Sequence, residues 1–402
     1  MGLSRSRAFW PRVIPLLALP AAVATTALAP GAARAQAPAR TQSSVRATAV
    51  LTAAYTDNLF QSYSERTDWV QRLSLDLDYG SRNRSAYYSA EAQCYTEYGD
   101  LFTQTHMLGV SVQRPGPERR LLAGGLHATV REGRRGYEYK DYVEAGGHGS
   151  AKLYLRPSLM LRAGSGLQAR VYRHAGDFSY LEPTAYAQLS RFLPTRTTLM
   201  AGLDLGAKTY LRAAGDPAAG DSLAYVRTSD DDLQAVAGLW IKAAQSLADH
   251  TGLQLQYTRR YLLGGGTRYR RPEEYDSSEE LFDDQYSRSS RELRTTLKHR
   301  SAAGIDLLLT ARRARRRYEG RPALDLDGQP LVPDGPREGS VDRRDTRTSL
   351  LTRVAVDLTR YAPLVLAGLE LRLERSCLKV DSNDPYYDAT ARTYSASLRL
   401  GL

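Results

Sequence analysis

The sequence predicts an all-β protein, an antiparallel up-and-down transmembrane β-barrel of about 16 strands within a range of roughly 14–18. Three observations predict it. Apolar and polar residues alternate with a period of two in segment after segment. The connections between those segments are by turns short and long. Past residue 35 no apolar run approaches the ~20 residues that a membrane helix needs. Alternation places successive side chains on opposite faces of a strand, so each segment has one greasy side and one wet side.

The first element in order is an export signal. Arg5, Arg7 and Arg12 form a positive start, residues 13–28 are apolar, and Ala33-Arg34-Ala35 is a small-x-small cleavage site. Residues 1–35 therefore read as a signal peptide, with the mature chain beginning at Gln36. Residues 36–44 read as a disordered polar lead-in and 45–402 as the barrel. Loss of four arginines and no acid takes the formal charge from +11 to +7.

Sixteen alternating segments follow: 45–57, 67–79, 84–98, 104–114, 119–131, 137–155, 158–173, 179–192, 195–210, 227–246, 250–262, 283–299, 302–318, 345–360, 364–380 and 387–402. In the second, Trp69, Leu73, Leu75, Leu77 and Tyr79 share a face against Val70, Arg72, Ser74, Asp76 and Asp78. Every other connection is a short turn, such as 80–83, 193–194 or 361–363. Those between include the long, wet stretches 211–226, 263–282 and 319–344. Short turns on one side and long loops on the other fit periplasm and cell exterior.

Composition agrees. Hydrophobic residues are 42% and charged residues 25%, the blend that lipid-facing and lumen-facing positions produce. There are 26 Tyr against 6 Phe and 3 Trp, and a ring with a polar tip suits a membrane boundary. A soluble β-sandwich or β-helix is the competing fold. Its core would want more Phe, Ile and Val than this Leu- and Ala-based apolar face supplies.

In a closed barrel the polar parity lines the lumen. The residues expected there are Arg46, Arg72, Arg162, Arg170, Lys208, Lys242, Arg260, Arg353, Arg372 and Arg399 with Asp204 and Glu370. The same parity carries Arg131, Arg294 and Arg312, and the acids Asp76, Asp78, Glu91, Glu97, Glu292, Asp306, Asp357 and Glu374. Basic residues slightly exceed acids, so a weak anion preference is expected. They are spread along the chain, which argues against a nucleic-acid patch.

No catalytic constellation emerges, and the chain is read as a non-enzyme without cofactor or metal. None of the six histidines has zinc-motif spacing. His148 and Ser150 share a strand face and are the sharpest enzymatic candidate, set in a Gly-rich stretch. The acidic stretches 229–232, 273–284 and 325–334 match no EF-hand. Cys94 and Cys377 lie on the apolar parity of the third and fifteenth segments, too far apart around the ring to bond, and read as two free thiols.

The chain ends Tyr394-Ser395-Ala396-Ser397-Leu398-Arg399-Leu400-Gly401-Leu402. Its alternate residues Tyr394, Leu398, Leu400 and Leu402 resemble the C-terminal β-signal read by barrel-assembly machinery, although that signal usually ends in Phe. Near the start, Ala54-Tyr55-Thr56-Asp57-Asn58-Leu59-Phe60 is similar to the first-strand motif of bacterial outer-membrane β-barrel proteins, porin-like, some of which accompany polysaccharide-export systems. Read on its own, Asp57-Asn58 is a turn-former.

These readings imply a Gram-negative outer-membrane protein whose partners are outer-membrane lipid, lipopolysaccharide and the assembly machinery. The expected function is porin-like or export-associated passage of small hydrophilic solutes. The alternatives are a surface binding or structural barrel with a closed, charge-paired lumen, and an outer-membrane lipid-modifying enzyme.

Overall fold

The computed structural model describes residues 44–401 other than 82, 135–136, 213–225, 228–231, 266, 270–283, 333–338 and 361–367. The expected signal peptide and lead-in, and Leu402, lie outside the described residues, apart from Ser44, which opens the first strand.

Sixteen long strands close into one antiparallel barrel. They are β1 (Ser44–Thr56), β2 (Asp68–Gly80), β3 (Arg84–Tyr95), β4 (Thr103–Pro115), β5 (Leu121–Gly133), β6 (Tyr142–Arg156), β7 (Leu159–Tyr172), β8 (Tyr180–Phe192), β9 (Thr197–Tyr210), β11 (Leu233–Ala248), β12 (Thr251–Gly264), β14 (Ser289–Arg300), β15 (Ile305–Pro322), β16 (Asp342–Asp357), β17 (Leu369–Ser382) and β18 (Ala389–Gly401). Each pairs with its sequence neighbours, and β1 pairs with β18 from Thr48↔Gly401 to Thr56↔Thr393. Two short strands, β10 (Val226–Arg227) and β13 (Arg268–Tyr269), join two of the long loops.

The sixteen segments read from alternation correspond one to one to these strands. Several boundaries move; the segments expected from 227 and 283 begin at Leu233 and Ser289. The segment expected from 137 begins at Tyr142, because Glu138–Lys140 forms a single 3-10 turn whose side chains happen to continue the alternation. The segment expected to run to 98 stops at Tyr95, which puts Glu97 in a loop and not on the lumen wall; its amide donates to Asp68 Oδ1 at 3.1 Å. The turn expected at 361–363 lies outside the described residues; β16 ends at Asp357 and β17 starts at Leu369. Gly368 stands at φ +74°, and a Cβ there would meet the Gly401 carbonyl oxygen at 2.3 Å, so only glycine fits this corner.

One parity of each strand faces out. Leu108, Val110, Leu126, Leu167, Leu239, Ile241 and Leu255 are all exposed, at 48–64%. Large apolar side chains left bare on a closed barrel mark a surface made for lipid, with the polar parity enclosed. Cys94 and Cys377 are free thiols on that outward parity, four strand steps apart through β2, β1 and β18.

The rim at the long-loop end is tied by short side chains that take amides from the neighbouring strand. Asp68 accepts from the amides of Thr96, Glu97 and Tyr98. Asp141 accepts from Gly133 at 2.6 Å, and burial pushes its carboxyl above the usual range. Ser179 accepts from Tyr172. The same device closes the ring. Asp57 Oδ1 accepts the Arg392 amide at 2.6 Å, and fully buried Asn58 donates to the carbonyls of Ser62 and Thr390 at 2.8 and 3.1 Å. A turn-former by sequence is thus also the clasp between the first and last strands.

A closed barrel pairs every backbone group between strands and resists detergent. Unheated protein is therefore expected to migrate faster on a gel than boiled protein. Asn58→Ala removes both hydrogen bonds of a buried side chain at the seam, a cost of about 1–3 kcal/mol, and should lower the temperature at which the fast form disappears. An unchanged transition would show that the seam holds without this clasp.

Candidate functional site

The inward parity builds a charged lumen. Cross-strand register sets Arg46, Arg72, Arg162, Arg170, Lys208, Lys242, Arg260, Arg353, Arg372 and Arg399 on it, together with Asp204 and Glu370. Arg131, Arg294 and Arg312 and the strand acids Asp76, Asp78, Glu91, Glu292, Asp306, Asp357 and Glu374 share that parity. Tyr394, Leu398 and Leu400 of β18 point the other way, opposite Arg375, Leu371 and Leu369.

Most wall charges pair along the wall. Arg170 meets Glu144 on the adjacent strand at 2.7 Å, and Glu144 also takes Gln168. Arg312 and Arg294 share Glu292 at 2.6 and 3.0 Å. Arg353 meets Glu374 at 2.7 Å and Arg372 meets Glu370 at 2.8 Å. Every one of these pairs joins positions on one strand or on neighbouring strands. They hold side chains flat instead of bridging the bore.

Other cations have no acid on them. Among the described residues Lys152, Arg162 and Lys242 form no ion pair and lie against rings, over Tyr154, Tyr186 and Trp240 at 5.1, 5.8 and 5.6 Å. They rise from β6, β7 and β11, so one side of the lumen carries a positive surface with aromatic backing.

Several rings of the wall lie flat, because they face a glycine directly across the strand pair. Tyr87 covers Gly109, His127 covers Gly146, His148 covers Gly125, Tyr186 covers Gly164 and Trp240 covers Gly202. A Cβ at position 202 would stand 2.4 Å from the Trp240 indole, which also hydrogen-bonds Asp204. Gly202→Val should drive the indole off the wall into the bore. The expected result is reduced conductance and about 1–3 kcal/mol less stability from overpacking. Wild-type conductance for this variant would show that the ring's position does not matter to the bore.

Toward the long loops Tyr142, Tyr172, Phe178, Tyr180 and Tyr210 form a buried aromatic cluster. Arg170 stacks on Tyr142 at 4.1 Å, and Arg268 on Tyr210 at 4.0 Å. The end of the connection between β12 and β14 folds inward onto this cluster. Asp284 binds Lys208 of β9 at 2.6 Å, and Lys208 is 4% exposed. Tyr286, in the 3-10 turn Gln285–Ser287, donates to Glu182 of β8 at 2.6 Å and lies over Gly206. The segment therefore passes in front of β12 and β11 to reach β9 and β8. Sequence reading had no signal for this inward fold beyond an aromatic within an acidic stretch.

His148 and Ser150 both point into the lumen, with no hydrogen bond between them among the described residues. They face away from the acyl chains that a lipid-modifying enzyme would have to reach. Among the described residues no three His, Cys, Asp or Glu side chains gather as a metal site.

An apolar outer belt around a polar, charged interior defines the class: a membrane-spanning β-barrel. No protein-family model and no curated protein matches the sequence. Among solved structures the chain is similar to Pseudomonas aeruginosa OccK8 (OprE), at 9% identity and a TM-score of 0.48 over 90% of this chain and 98% of that one. It is similar to Pseudomonas aeruginosa OccD3 (OpdP), at 10% identity and 0.47 over 90% and 91%. Acinetobacter baumannii OccAB1 matches at 8% identity and 0.48 over 90% and 96%.

Proposed function

We propose that this protein is a porin-like outer-membrane channel for small hydrophilic solutes, with a lumen that favours anions, and that it is not an enzyme. The observation that carries the reading is the arrangement of the lumen side chains. Ion pairs run along the wall, rings lie flat over glycines, and Lys152, Arg162 and Lys242 stand against rings with no acid on them. A barrel of this strand number has room for an aqueous path. The mechanism is partition and electrostatic selection, with no catalytic cycle. A closed, charge-paired lumen would need pairs reaching across the bore, and the wall pairs do not. Association with polysaccharide export rests on the first-strand motif, whose Asp57 and Asn58 are used in clasping the barrel shut.

In the same proposal residues 1–35 direct export, and assembly machinery inserts the chain by way of β18. The outward Tyr394, Leu398 and Leu400 support that role, and Leu402 is outside the described residues.

The test is a planar bilayer with a salt gradient. Reversal potentials should show a modest anion preference. Arg162→Glu with Lys242→Glu should abolish or invert it, because both act from the same wall without competing carboxylates. Absence of conductance, or a cation preference in the wild type, would defeat the reading.

A further inference from the structure

The outward face carries a feature that a channel does not need. On β12, β14, β15 and β16 the lipid-facing parity that holds Tyr257, Leu293, Leu309 and Leu350 also holds Arg259, Arg291, Arg313, Arg315 and Arg344. All five arginines are exposed. Three of them form a row: Arg259 pairs directly with Arg291, and Arg291 directly with Arg315. Arg313 sits one step below Arg315 on the same face, and Arg344 pairs with Arg317 one step above.

Side chains directly opposite on neighbouring strands stand ~5 Å apart, and like charges there repel. Carboxylates do not relieve this row. Arg317 pairs with Asp342 at 2.9 Å, but Arg259, Arg291, Arg313, Arg315 and Arg344 form no ion pair among the described residues. Arg259 lies against the Tyr261 ring at 4.9 Å.

Height on the barrel locates the patch. Below it β15 presents outward Ile305, Leu307 and Leu309. From Ile305 to Arg313 is eight residues, ~26 Å along a strand. At a tilt of ~40° that is roughly 20 Å of height, against an apolar band of about 25 Å. The guanidinium groups thus stand at the upper edge of the band, on the long-loop side, where headgroups begin. Outward Arg375 and Arg392 continue the basic character on β17 and β18, but it does not run round the ring. Near the same end β6, β7 and β11 present Val143, Val171 and Leu233, all exposed. A general attraction to charged lipid would call for basic residues all round the ring.

We propose that the outward face of β12, β14, β15 and β16 binds the phosphate groups of a phosphorylated glycolipid of the outer leaflet, lipopolysaccharide. A planar guanidinium fork grips phosphate with two parallel hydrogen bonds, and a row of three suits a headgroup bearing more than one phosphate. The sugar body would lie against the rim, and the acyl chains would run down the apolar residues below. The proposal rests on the outer-membrane reading but not on an open pore.

The test uses full-length protein refolded in neutral detergent, titrated with lipopolysaccharide, with its dephosphorylated form and with phosphatidylglycerol. Arg291→Gln with Arg315→Gln should bind lipopolysaccharide at least tenfold more weakly than the wild type. The wild type should discriminate against the dephosphorylated form by a similar factor and bind phosphatidylglycerol weakly. Stability gives a second readout of opposite sign. Without lipid the double variant should keep the fast-migrating form to the same or a higher temperature, since repulsion is removed. With lipopolysaccharide the wild type should overtake it. Equal affinity of variant and wild type, or equal affinity for phosphatidylglycerol, would overturn the proposal. Conductance measured on the same samples keeps the two readings apart: a silent barrel that still discriminates lipopolysaccharide defeats only the channel.

Discussion

Asp284→Ala combined with Tyr286→Ala is expected to raise single-channel conductance about twofold or more, the largest functional change that two substitutions should produce here. Three contacts hold the segment against the lumen wall. Asp284 grips Lys208, the Tyr286 hydroxyl donates to Glu182, and the Tyr286 ring fills the space over Gly206. Asp284 also shapes its own turn, accepting from the Tyr286 amide at 2.9 Å and, through its carbonyl, from the Ser287 hydroxyl at 2.8 Å. Removing both side chains deletes the anchor and the turn together, so the segment has no reason to stay in the bore. Lys208 would then lose its counter-charge and add a cation to the lumen, so anion preference should rise along with conductance. The barrel wall is untouched, because neither residue lies on a barrel strand. A conductance equal to the wild type's would mean that the narrowest point is elsewhere.

What was legible in the sequence was whatever depends on neighbours two residues away. Alternation located every barrel strand and grouped Arg72, Arg162 and Lys242 on the parity opposite the exposed apolar side chains. It was weaker at strand ends. Tyr137 and Tyr139 extend the alternation ahead of β6 but cap and belong to a 3-10 turn, respectively, and periodicity cannot tell a strand from a tight turn that shares its polarity. Contacts between residues distant in the chain were not legible at all. Asn58 and Thr390 are 332 positions apart, and Tyr286 and Glu182 are 104 apart. Nothing local to Asn58 distinguishes a clasp from an ordinary turn residue. The outward arginines were missed for another reason. Each strand was assigned a polar face from its whole length, while β15 changes character along its outward face from Ile305, Leu307 and Leu309 to Arg313 and Arg315. A single parity per strand has no place for that change of height, and height decides what a membrane protein's outer surface touches.

Asp345→Ala should cost about 3–5 kcal/mol, the largest loss of stability expected from a single substitution in this barrel. Asp345 and Arg343 of β16 are both fully buried, 0% exposed, and joined by two hydrogen bonds of 3.0 and 2.6 Å. The carboxylate also accepts from the Tyr318 hydroxyl at 3.2 Å and the Ser382 hydroxyl at 2.9 Å. The Arg343 guanidinium lies against Tyr387 at 3.2 Å and Tyr318 at 4.3 Å, so it has aromatic contacts but little water. Alanine at 345 removes the carboxylate that Arg343 grips with two hydrogen bonds and leaves that guanidinium in place with the more distant charge of Asp384. A buried charge without its partner is far costlier than no pair at all, because desolvation of the survivor is no longer offset. The double variant Arg343→Met with Asp345→Leu should therefore recover most of what the single one loses. The readout is the temperature at which the fast-migrating form disappears: a sharp fall for Asp345→Ala, and a value near the wild type's for the pair of substitutions. If the double variant is as unstable as the single, the two residues stabilise β16 through separate contacts with Tyr318, Ser382 and Tyr387, and not through each other.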